Sequence, residues 1–553
     1  MSLLGKHWLI KNSDTGKNII DRIMAHREPL DDSGDFFDPY LMKNMDLAAT
    51  RIAQAISGQQ RVIVYGDYDV DGISGTAILV RTLKKFNAFV SYRIPHRFDD
   101  GYGLHEKYIE ECRNTGTKLI ITVDCGISCA SQISLAKKYG IDVIITDHHT
   151  IPENVPEDAH AILHPLQRDC PYPFKGLTGS AVAFKLAHAL LQKLSPHDHL
   201  NFLESLTDFA SFGTIADCGP LIGENRTIVK RGLAAFQRTH WSGLRHMKRL
   251  AKIENDKIDT TTIGFRLAPR INAAGRIDHP YVALQLLLRE EDDAQTLALA
   301  KKLESLNAQR QEMTRRAIDE VMRHYKSELH KNLFMAASPD WHTGILGLIA
   351  ARATETFGVP SIILQDRGET LVASCRSRDG CDIMQLLAPE RENFITFGGH
   401  AQAAGFTVSK EKFPLVEKNM YRRASEIWNR SSSNSGPTLN IDCHIDFEEL
   451  TFENAMAIEK MEPFGIGNEK PIFALQAVKI SEISLVGKEK NHAKLSIQSP
   501  SSKDIPAIFF SAPEKILRQQ ISPDALVDLA CHLELNRFKG RATPQLQVRD
   551  IAM

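Results

Sequence analysis

The sequence lacks an excess of either charge. Lys and Arg total 67 and Asp and Glu total 68 in 553 residues, which gives a formal net charge of −1. This balance excludes a basic arm that coats a polyanion, and it excludes an acidic disordered tail. A nucleic-acid partner stays possible, because the overall charge does not describe local fields.

Long apolar runs and paired cysteines are also absent. No stretch offers the roughly 18 apolar residues of a membrane span, and the N-terminus lacks the apolar core of a secretory signal. The nine cysteines include no CxxC pair, so we expect scattered reduced thiols and no disulfide framework or zinc site. These absences predict a cytoplasmic protein with no membrane partner.

A regular pattern begins at Arg61, where short β-branched runs alternate with helix-like segments. This alternation indicates a parallel α/β sheet. The runs are RVIVYGDYD (61–69), FVSYRIP (89–95), KLIITVD (118–124) and DVIITDHH (142–149). The predicted crossover helices are Ser74–Phe86, His105–Arg113 and Ser131–Tyr139.

The rest of the chain divides into further segments, as the length predicts at roughly 100–200 residues per domain. Apolar residues recur at helical spacing over 293–325 and predict a helix about 50 Å long that joins two domains. A second α/β region runs from Leu333 to about residue 430, followed by a Ser/Gly/Pro linker at 431–438. Short alternating runs in 439–553 indicate a small β-barrel or sandwich.

Carboxylates collect at the ends of three predicted strands. These strands lead into Asp67, Asp69 and Asp71, into Asp124, and into Asp147, His148 and His149. Ligands of open parallel sheets lie outside the carboxyl ends of the strands, so these groups should share one crevice. Like charges repel there, and divalent cations would relieve the repulsion. The number of carboxylates indicates two such cations. Oxygen ligands favour Mg²⁺ or Mn²⁺, and the imidazole favours Mn²⁺.

An alternative for each strand-end Asp is to cap the helix that follows. A cap explains one such residue, but three successive strand ends favour a metal site. Asp217 closes the short apolar run SFGTIA and would by itself be a turn residue. Together with the other three positions it becomes a candidate metal ligand.

Four motifs occur in a characteristic order: DYDVDG, VDCG, DHH and TIADCGPL. They resemble the motifs of the DHH phosphoesterase superfamily and, within it, those of bacterial single-strand-specific exonucleases. PHRFDDGYGL, APRINAAGRI, WHTGILGLIARA, FGGHAQAAG and PFGIGNEKPIF fit the same group. The resemblance therefore covers essentially the whole chain.

The resemblance implies an α/β multidomain protein. It implies a lead segment (1–45), a parallel-sheet DHH catalytic domain (46–220), a helical connector with a long helix (221–330), an α/β DHHA1 domain (331–430), the linker (431–438) and an OB-fold β-barrel (439–553). The implied activity is hydrolysis of single-stranded DNA from its 5′ end to 5′-mononucleotides, in DNA recombination and repair. We expect a monomer that cooperates with a helicase and a single-strand-binding protein.

The resemblance also assigns the metal site. Its ligands would be Asp67, Asp69, Asp71, Asp124, His148 and Asp217, holding two Mn²⁺ or Mg²⁺ ions. His149 would contact the substrate or support the ligands, and Asp69, Asp71, Asp124, His148 and His149 would form the catalytic set. The pyrophosphatase branch has a His where this chain has Tyr65, which leaves the role of Asp67 open. We hypothesise that a water held between the cations attacks the terminal phosphodiester, without a protein nucleophile.

A 5′ phosphate requires fixed cationic donors, and Arg offers two in a planar fork. The candidates are Arg97, Arg270, Arg276, Arg376, Ser377 and His400, the last in a Gly-Gly-His loop, with Arg266 as a further candidate. These arginines could instead pair with carboxylates between domains. The family pattern favours phosphate binding for Arg276 and Arg376, and both interpretations stay open for Arg266 and Arg270.

Two other functions fit part of the pattern. A phosphodiesterase for very short RNA or cyclic dinucleotides would share the motifs, but such proteins usually lack a third, β-rich domain. An inactive DHH scaffold would have lost metal ligands.

The last segment mixes aromatic and cationic side chains, a combination that suits the binding of single strands. These residues are Phe509, Phe510, Phe538, Lys539 and Arg541, although we expect Phe509 to lie in the core.

Overall fold

The computed structural model describes residues 2–12, 18–30, 34–197, 199–325, 332–378, 380–430, 438–487, 490–498, 504–518, 526–538 and 540–553. Residues 431–437 of the predicted linker, Lys539 and the side chain of Phe538 lie outside this description. The chain forms two compact units. The larger comprises Asp35–Gly219 and Arg231–Ser433, and the smaller Met1–Gly34, Pro220–Lys230 and Asn434–Met553. Every helix in the described ranges is too short or too polar to cross a bilayer.

The strands of the described residues are β1 (His7–Asn12), β2 (Val62–Gly66), β3 (Val90–Arg93), β4 (Leu119–Val123), β5 (Asp142–Thr146), β6 (Ala161–Leu163), β7 (Phe334–Ser338), β8 (Ser361–Asp366), β9 (Thr370–Arg376), β10 (Phe394–His400), β11 (Ala403–Ser409), β12 (Thr438–His444), β13 (Phe473–Val486), β14 (His492–Gln498), β15 (Asp504–Phe509), β16 (Leu526–Phe538) and β17 (Arg541–Ala552). The α-helices are α1 (Ile19–Met24), α2 (Met45–Ser57), α3 (Val70–Lys85), α4 (Glu106–Asn114), α5 (Ala130–Lys138), α6 (Gly179–Leu194), α7 (Leu200–Ser205), α8 (Thr207–Ala216), α9 (Gly223–Gln237), α10 (Ser242–Leu250), α11 (Ala268–Ile277), α12 (Tyr281–Leu287), α13 (Ala294–Glu320), α14 (Thr343–Phe357), α15 (Met384–Leu387), α16 (Phe413–Arg430), α17 (Phe452–Glu459) and α18 (Glu514–Leu517). Two π-helices, Thr262–Leu267 and Val321–Tyr325, lie in the larger unit.

The first sheet of the larger unit is parallel throughout, with strand order β3-β2-β4-β5-β6. All five residues of β4 are buried, as expected for a strand covered on both faces. The four predicted strands are thus confirmed. Helix α3 begins at Val70 instead of the predicted Ser74, because Asp69 Oδ1 accepts hydrogen bonds from the amides of Asp71 (2.9 Å) and Gly72 (3.1 Å).

The predicted long helix is α13, which has 27 residues and therefore extends about 40 Å, with a π-helix at its end. Leu303 and Leu306 are buried in its first half and Ala317 in its second half. It packs against α10, α11 and α12 and, farther along, against α14. One helix therefore connects the helical segment to the second sheet, as the periodicity predicts.

The second sheet of the larger unit has the order β10-β11-β9-β8-β7. Only β7 and β8 pair in parallel, and the other neighbours are antiparallel. Helix α14 packs on β8 and β9 and buries Ile345, Leu346 and Ile349. This mixed sheet with its helices confirms the predicted second α/β region.

The smaller unit is built on a β-barrel. Strands β13, β14, β15, β17 and β16 pair in that order, and the pairing of β13 with β16 closes the ring. Phe509 is 3% exposed and lies in the core as expected, while Phe510 is 53% exposed. The N-terminal strand β1 adds to the same sheet through β12, and Trp8 Nε1 donates to the buried Asp550 at 2.8 Å.

Candidate active site

The predicted metal ligands follow three neighbouring strands and one helix. Asp67 and Asp69 follow β2, and Asp71 lies in the first turn of α3. Asp124 comes directly after β4, and His148 follows β5 by two residues. Asp217 is the exception, because it lies at the C-terminal end of helix α8 and follows no strand. The fold brings all of these side chains to one edge of the first sheet.

Three overlapping groups of side chains have ligand atoms within 4.8 Å of one another. They are Asp124, His148 and His149; Asp71, His148 and Asp217; and Asp67, Asp69 and Asp124. Asp124 and His148 each belong to two groups. All six predicted metal ligands therefore lie in a single cluster, together with His149.

The cluster contains buried polar atoms that the protein leaves unsatisfied. Asp67 Oδ1, Asp124 Oδ1 and His148 Nε2 are buried and have no hydrogen-bond partner. His148 Nε2 lies 3.1 Å from Asp124 Oδ1, without hydrogen-bonding geometry, and 3.7 Å from Asp217 Oδ2. Buried groups of this kind are costly unless a partner of opposite charge is present. The donor set of carboxylate oxygens and one imidazole fits divalent cations such as Mn²⁺.

Burial and mutual repulsion shift the ionisation of these groups. Burial, followed by the charges of Asp71 and Asp69, raises the pKa of Asp124 well above its usual range. Burial, with the charges of Asp71 and Asp69, also raises the pKa of Asp217 to about 8. Burial lowers the pKa of His148, so its ring is neutral and able to bind a metal.

The backbone holds Asp124 and Asp71 in fixed positions. Asp124 has a φ of 61°, a left-handed conformation that is uncommon for residues other than glycine and that occurs at functional sites. A Cβ added at Gly179 would lie 2.5 Å from Asp124 Oδ1, so only glycine allows this approach. The amide of Gly179 donates to Asp71 Oδ2 (2.6 Å) and that of Ser180 to Asp71 Oδ1 (3.0 Å), at the positive end of α6.

Two further residues hold His149 in place, and sequence reasoning did not assign them a role. Asp147 Oδ1 lies 2.8 Å from His149 Nδ1, and it also accepts from the amides of His148 and His149. Burial lowers the pKa of His149, but the bond with Asp147 raises it to about 8 overall. The Tyr102 hydroxyl lies 3.0 Å from His149 Nδ1 and donates to the carbonyl of Asp124 at 3.1 Å. Asp147 belongs to the DHH motif, whereas only the loop motif PHRFDDGYGL points to Tyr102.

Arginines form a second cluster beside the acids. The Arg97 guanidinium lies 4.8 Å from the centre of the Tyr68 ring, and Tyr68 stands between Asp67 and Asp69 in the chain. Burial, together with the charges of Arg97, Arg310 and Arg376, lowers the pKa of Arg276. Within the described ranges, no carboxylate forms an ion pair with any of these four arginines.

Helix α14 positions two of the clustered arginines through its glycines. Arg276 Nη1 donates to the carbonyl of Gly344 at 3.0 Å. A Cβ at Gly347 would lie 2.9 Å from Arg376 Nη2. Arg276 and Arg376 therefore lie against the same helix, one turn apart. Arg310 of α13 completes the group. Sequence reasoning missed it because it occurs in a run of charges that is typical of a helix surface.

The remaining candidates for phosphate binding are differently placed. Arg270 donates through Nε and Nη2 to the two carboxylate oxygens of Glu304 (2.7 and 3.1 Å), and Arg266 pairs with Asp256 at 3.0 Å. The carboxylate-pairing interpretation therefore describes these two, with partners in the same helical segment. Ser377 Oγ donates to the carbonyl of Cys381 at 2.6 Å, and His400 is exposed at the end of β10.

Models of three protein families match successive parts of the chain. Family models match residues 61–214 (DHH family, N-terminal domain), 329–426 (DHHA1 domain) and 441–550 (RecJ OB domain). The single-stranded-DNA-specific exonuclease RecJ of Haemophilus influenzae is 30% identical over 98% of this chain and 97% of its own length. The chain belongs to the RecJ family.

Other RecJ proteins are similarly related. RecJ of Bacillus subtilis is 36% identical over 94% of this chain, and the chain spans 64% of that relative's length. The crystal structure of RecJ from Thermus thermophilus in complex with Mn²⁺ superposes with a TM-score of 0.81 at 27% identity, covering 99% of this chain and 80% of that one. The matched models occur in the order DHH, DHHA1 and RecJ OB along this chain.

Proposed function

We propose that this protein is a metal-dependent exonuclease specific for single-stranded DNA, which hydrolyses the strand from its 5′ end and releases 5′-mononucleotides. One observation carries the proposal: the acidic cluster and the arginine cluster adjoin, with Tyr68 between Asp67 and Asp69 packed against Arg97. Cleavage and recognition of the strand end thus fall within one crevice. The names of the relatives, single-stranded-DNA-specific exonucleases, support the substrate.

The acidic cluster would hold two Mn²⁺ or Mg²⁺ ions. Their ligands would be Asp67, Asp69, Asp71, Asp124, His148 and Asp217. When bound, such ions supply an activated water and stabilise the charge that develops on the phosphate. His149, with its pKa raised to about 8 by the bond with Asp147, places a positive charge beside the site and can donate to a phosphate oxygen. Asp147 and Tyr102 fix the direction of that donor.

The arginine cluster would bind the terminal 5′ phosphate. Arg97, Arg276, Arg310 and Arg376 have no carboxylate partner among the described residues, so a phosphate would supply the missing negative charge. With its end held beside the acidic cluster, the strand presents its first internucleotide bond for cleavage. This geometry accounts for mononucleotide products.

The alternatives fit less well. A phosphodiesterase for dinucleotides has no need of the closed barrel that the RecJ OB model matches at 441–550. An inactive scaffold has no need of three overlapping groups of acidic and His side chains with ligand atoms close together. The exonuclease is favoured by two features together: a barrel suited to holding a longer strand, and a complete set of metal ligands.

The proposal extends to the cellular setting. Nine free thiols, eight of them buried, fit the reducing cytoplasm. Work on single strands during DNA recombination and repair would require a helicase that exposes them, and a single-strand-binding protein that covers them. We propose that the enzyme acts as a monomer, because both clusters come from one chain.

Digestion of end-labelled single-stranded DNA tests the function. With Mn²⁺, a 5′ label should appear at once as mononucleotide, while a 3′-labelled strand should shorten gradually. Asp69→Asn serves as the inactive control, and a duplex of the same sequence as the substrate control. Early release of the 3′ label, or internal fragments, would contradict the proposed polarity.

A further inference from the structure

Phe265 is the most exposed of the large hydrophobic side chains that the structure describes. It is 81% exposed, and its neighbours Ile263 and Leu267 are completely buried. All three belong to the π-helix Thr262–Leu267. The buried pair anchors this turn in the core and leaves the Phe265 ring projecting into solvent. An aromatic ring held out by a well-packed turn indicates a contact surface.

The π-helix adjoins α8 and runs directly into α11, two helices that carry residues of the active site. A Cβ at Gly264 would lie 3.9 Å from Ile215, a residue of α8 two positions before Asp217. On its other side the π-helix continues into α11, which carries Arg276 in its last turn. Short π-helical turns are rare and occur often at functional sites. Phe265 therefore stands on a turn that lies against α8 close to Asp217 in the chain and that continues into the helix carrying Arg276.

The charges near Phe265 are largely paired. From residue 260 to 277 the chain has no acidic side chain and three arginines. Arg266 and Arg270 are paired with Asp256 and Glu304, so this surface carries no strong excess of charge. An exposed ring beside paired arginines fits the flat face of a base better than it fits a phosphate.

We propose that Phe265 is a nucleobase-binding site, on which one unpaired base of the DNA strand stacks. Stacking on an aromatic ring tolerates every base, because each has a π-face. In a duplex, both faces of a base are covered by its neighbours and the partner strand constrains it, so the contact selects single strands. The inference rests on the proposed exonuclease function and adds to it a source of strand selectivity.

Three substitutions separate stacking from simple apolar contact: Phe265→Ala, Phe265→Leu and Phe265→Trp. The matched control is Phe89→Ala, which removes another exposed ring (51%) that lies beneath Arg61. Binding is measured with Ca²⁺ in place of Mn²⁺, using 5′-phosphorylated strands that carry one abasic residue at successive positions. Cleavage of the same strands is measured with Mn²⁺.

The wild-type protein should bind about 10-fold more weakly when the abasic residue occupies one particular position. Phe265→Ala should bind the intact strand about 10-fold more weakly and lose its sensitivity to that position. Phe265→Trp should behave like the wild type, Phe265→Leu like the alanine variant, and Phe89→Ala should not differ from the wild type.

Equal effects of the abasic residue at all positions, or a leucine variant as effective as tryptophan, would overturn the stacking site and leave the nuclease intact. Unchanged DNA binding in all three variants would also overturn it. If the wild type shows the positional pattern but no cleavage with Mn²⁺, the exonuclease function fails and the base site stands.

Discussion

Two clusters of like charge lie side by side in the larger unit, and they are assembled in opposite ways. The acids come mainly from successive strand ends of one parallel sheet, so their positions follow from a single local pattern. The arginines come from a loop, two helices and a strand of the second sheet. The acidic cluster is therefore a property of one sheet, whereas the arginine cluster exists only once the two sheets have packed together.

Both clusters are electrostatically incomplete without a ligand. Burial and repulsion raise the pKa of Asp124 and lower that of Arg276, which shows that each charge is held at a cost to the fold. Cations would relieve the first cluster and a phosphate the second. We therefore expect the acids to carry out cleavage and the arginines to recognise the strand end. Substitutions in one cluster or the other should separate these two roles.

Asp124→Asn should have the largest effect, because Asp124 belongs to two of the three ligand groups. We expect exonuclease turnover to fall about 1,000-fold or more with saturating Mn²⁺. At alkaline pH the metal-free variant should unfold at a higher temperature than the wild type, because ionisation of this buried carboxyl destabilises the wild-type fold. Turnover assays and calorimetry measure the two effects, with Asp158→Asn, a partly exposed carboxylate paired with Lys137 outside the cluster, as control. Near-normal turnover would show that the acids do not perform the cleavage.

Gly179→Ala tests the geometry of the acidic cluster without removing a ligand. The new Cβ would lie 2.5 Å from Asp124 Oδ1 and must displace this carboxylate. We expect turnover to fall about 100-fold, because small displacements of catalytic groups cost this much. Titration with Mn²⁺, followed calorimetrically, should show weaker binding. Unchanged metal affinity and turnover would contradict the observed approach of α6 to Asp124.

Arg376→Ala should change end recognition more than cleavage. We expect the preference for a 5′-phosphorylated over an unphosphorylated end to fall about 10-fold, the value of one charge-assisted contact. Arg270→Ala is the matched control, because Glu304 already occupies its guanidinium. The rate ratio for the two kinds of end measures the effect. Equal losses in both variants would remove the distinction between the paired and the unpaired arginines.

The smallest expected effect is on stability as the pH changes. The raised pKa of Asp217 means that the metal-free fold keeps a proton that the unfolded chain loses near pH 4. This contribution to stability is complete below about pH 4 and is lost as the pH rises through about 8. Mn²⁺ should reverse the trend, stabilising by about 2.7 kcal/mol at 100 times its Kd. Calorimetry between these pH values measures the pH trend without Mn²⁺ and the stabilisation with it. A metal-free protein that gains stability as the pH rises from 4 to 8 would contradict the raised pKa of Asp217.

The sequence predicts the acidic cluster better than the arginine cluster, for a physical reason. Strand ends of a parallel sheet meet at one edge, so Asp69, Asp124 and His148 could be grouped from their spacing and the motifs alone. No local pattern shows that Glu304, 34 residues away, occupies Arg270, or that Arg310 turns toward Arg276. Such pairings depend on how helices pack. The incorporation of β1 into the barrel sheet likewise depends on pairing between distant segments.

The most direct test of the account is a crystal structure of the protein with Mn²⁺ and a 5′-mononucleotide, using the anomalous scattering of manganese. We predict two anomalous peaks among Asp67, Asp69, Asp71, Asp124, His148 and Asp217, and the nucleotide phosphate within hydrogen-bond distance of the arginine cluster. A single peak away from Asp124, or a phosphate bound elsewhere with Arg276 and Arg376 unengaged, would contradict the division of work between the two clusters.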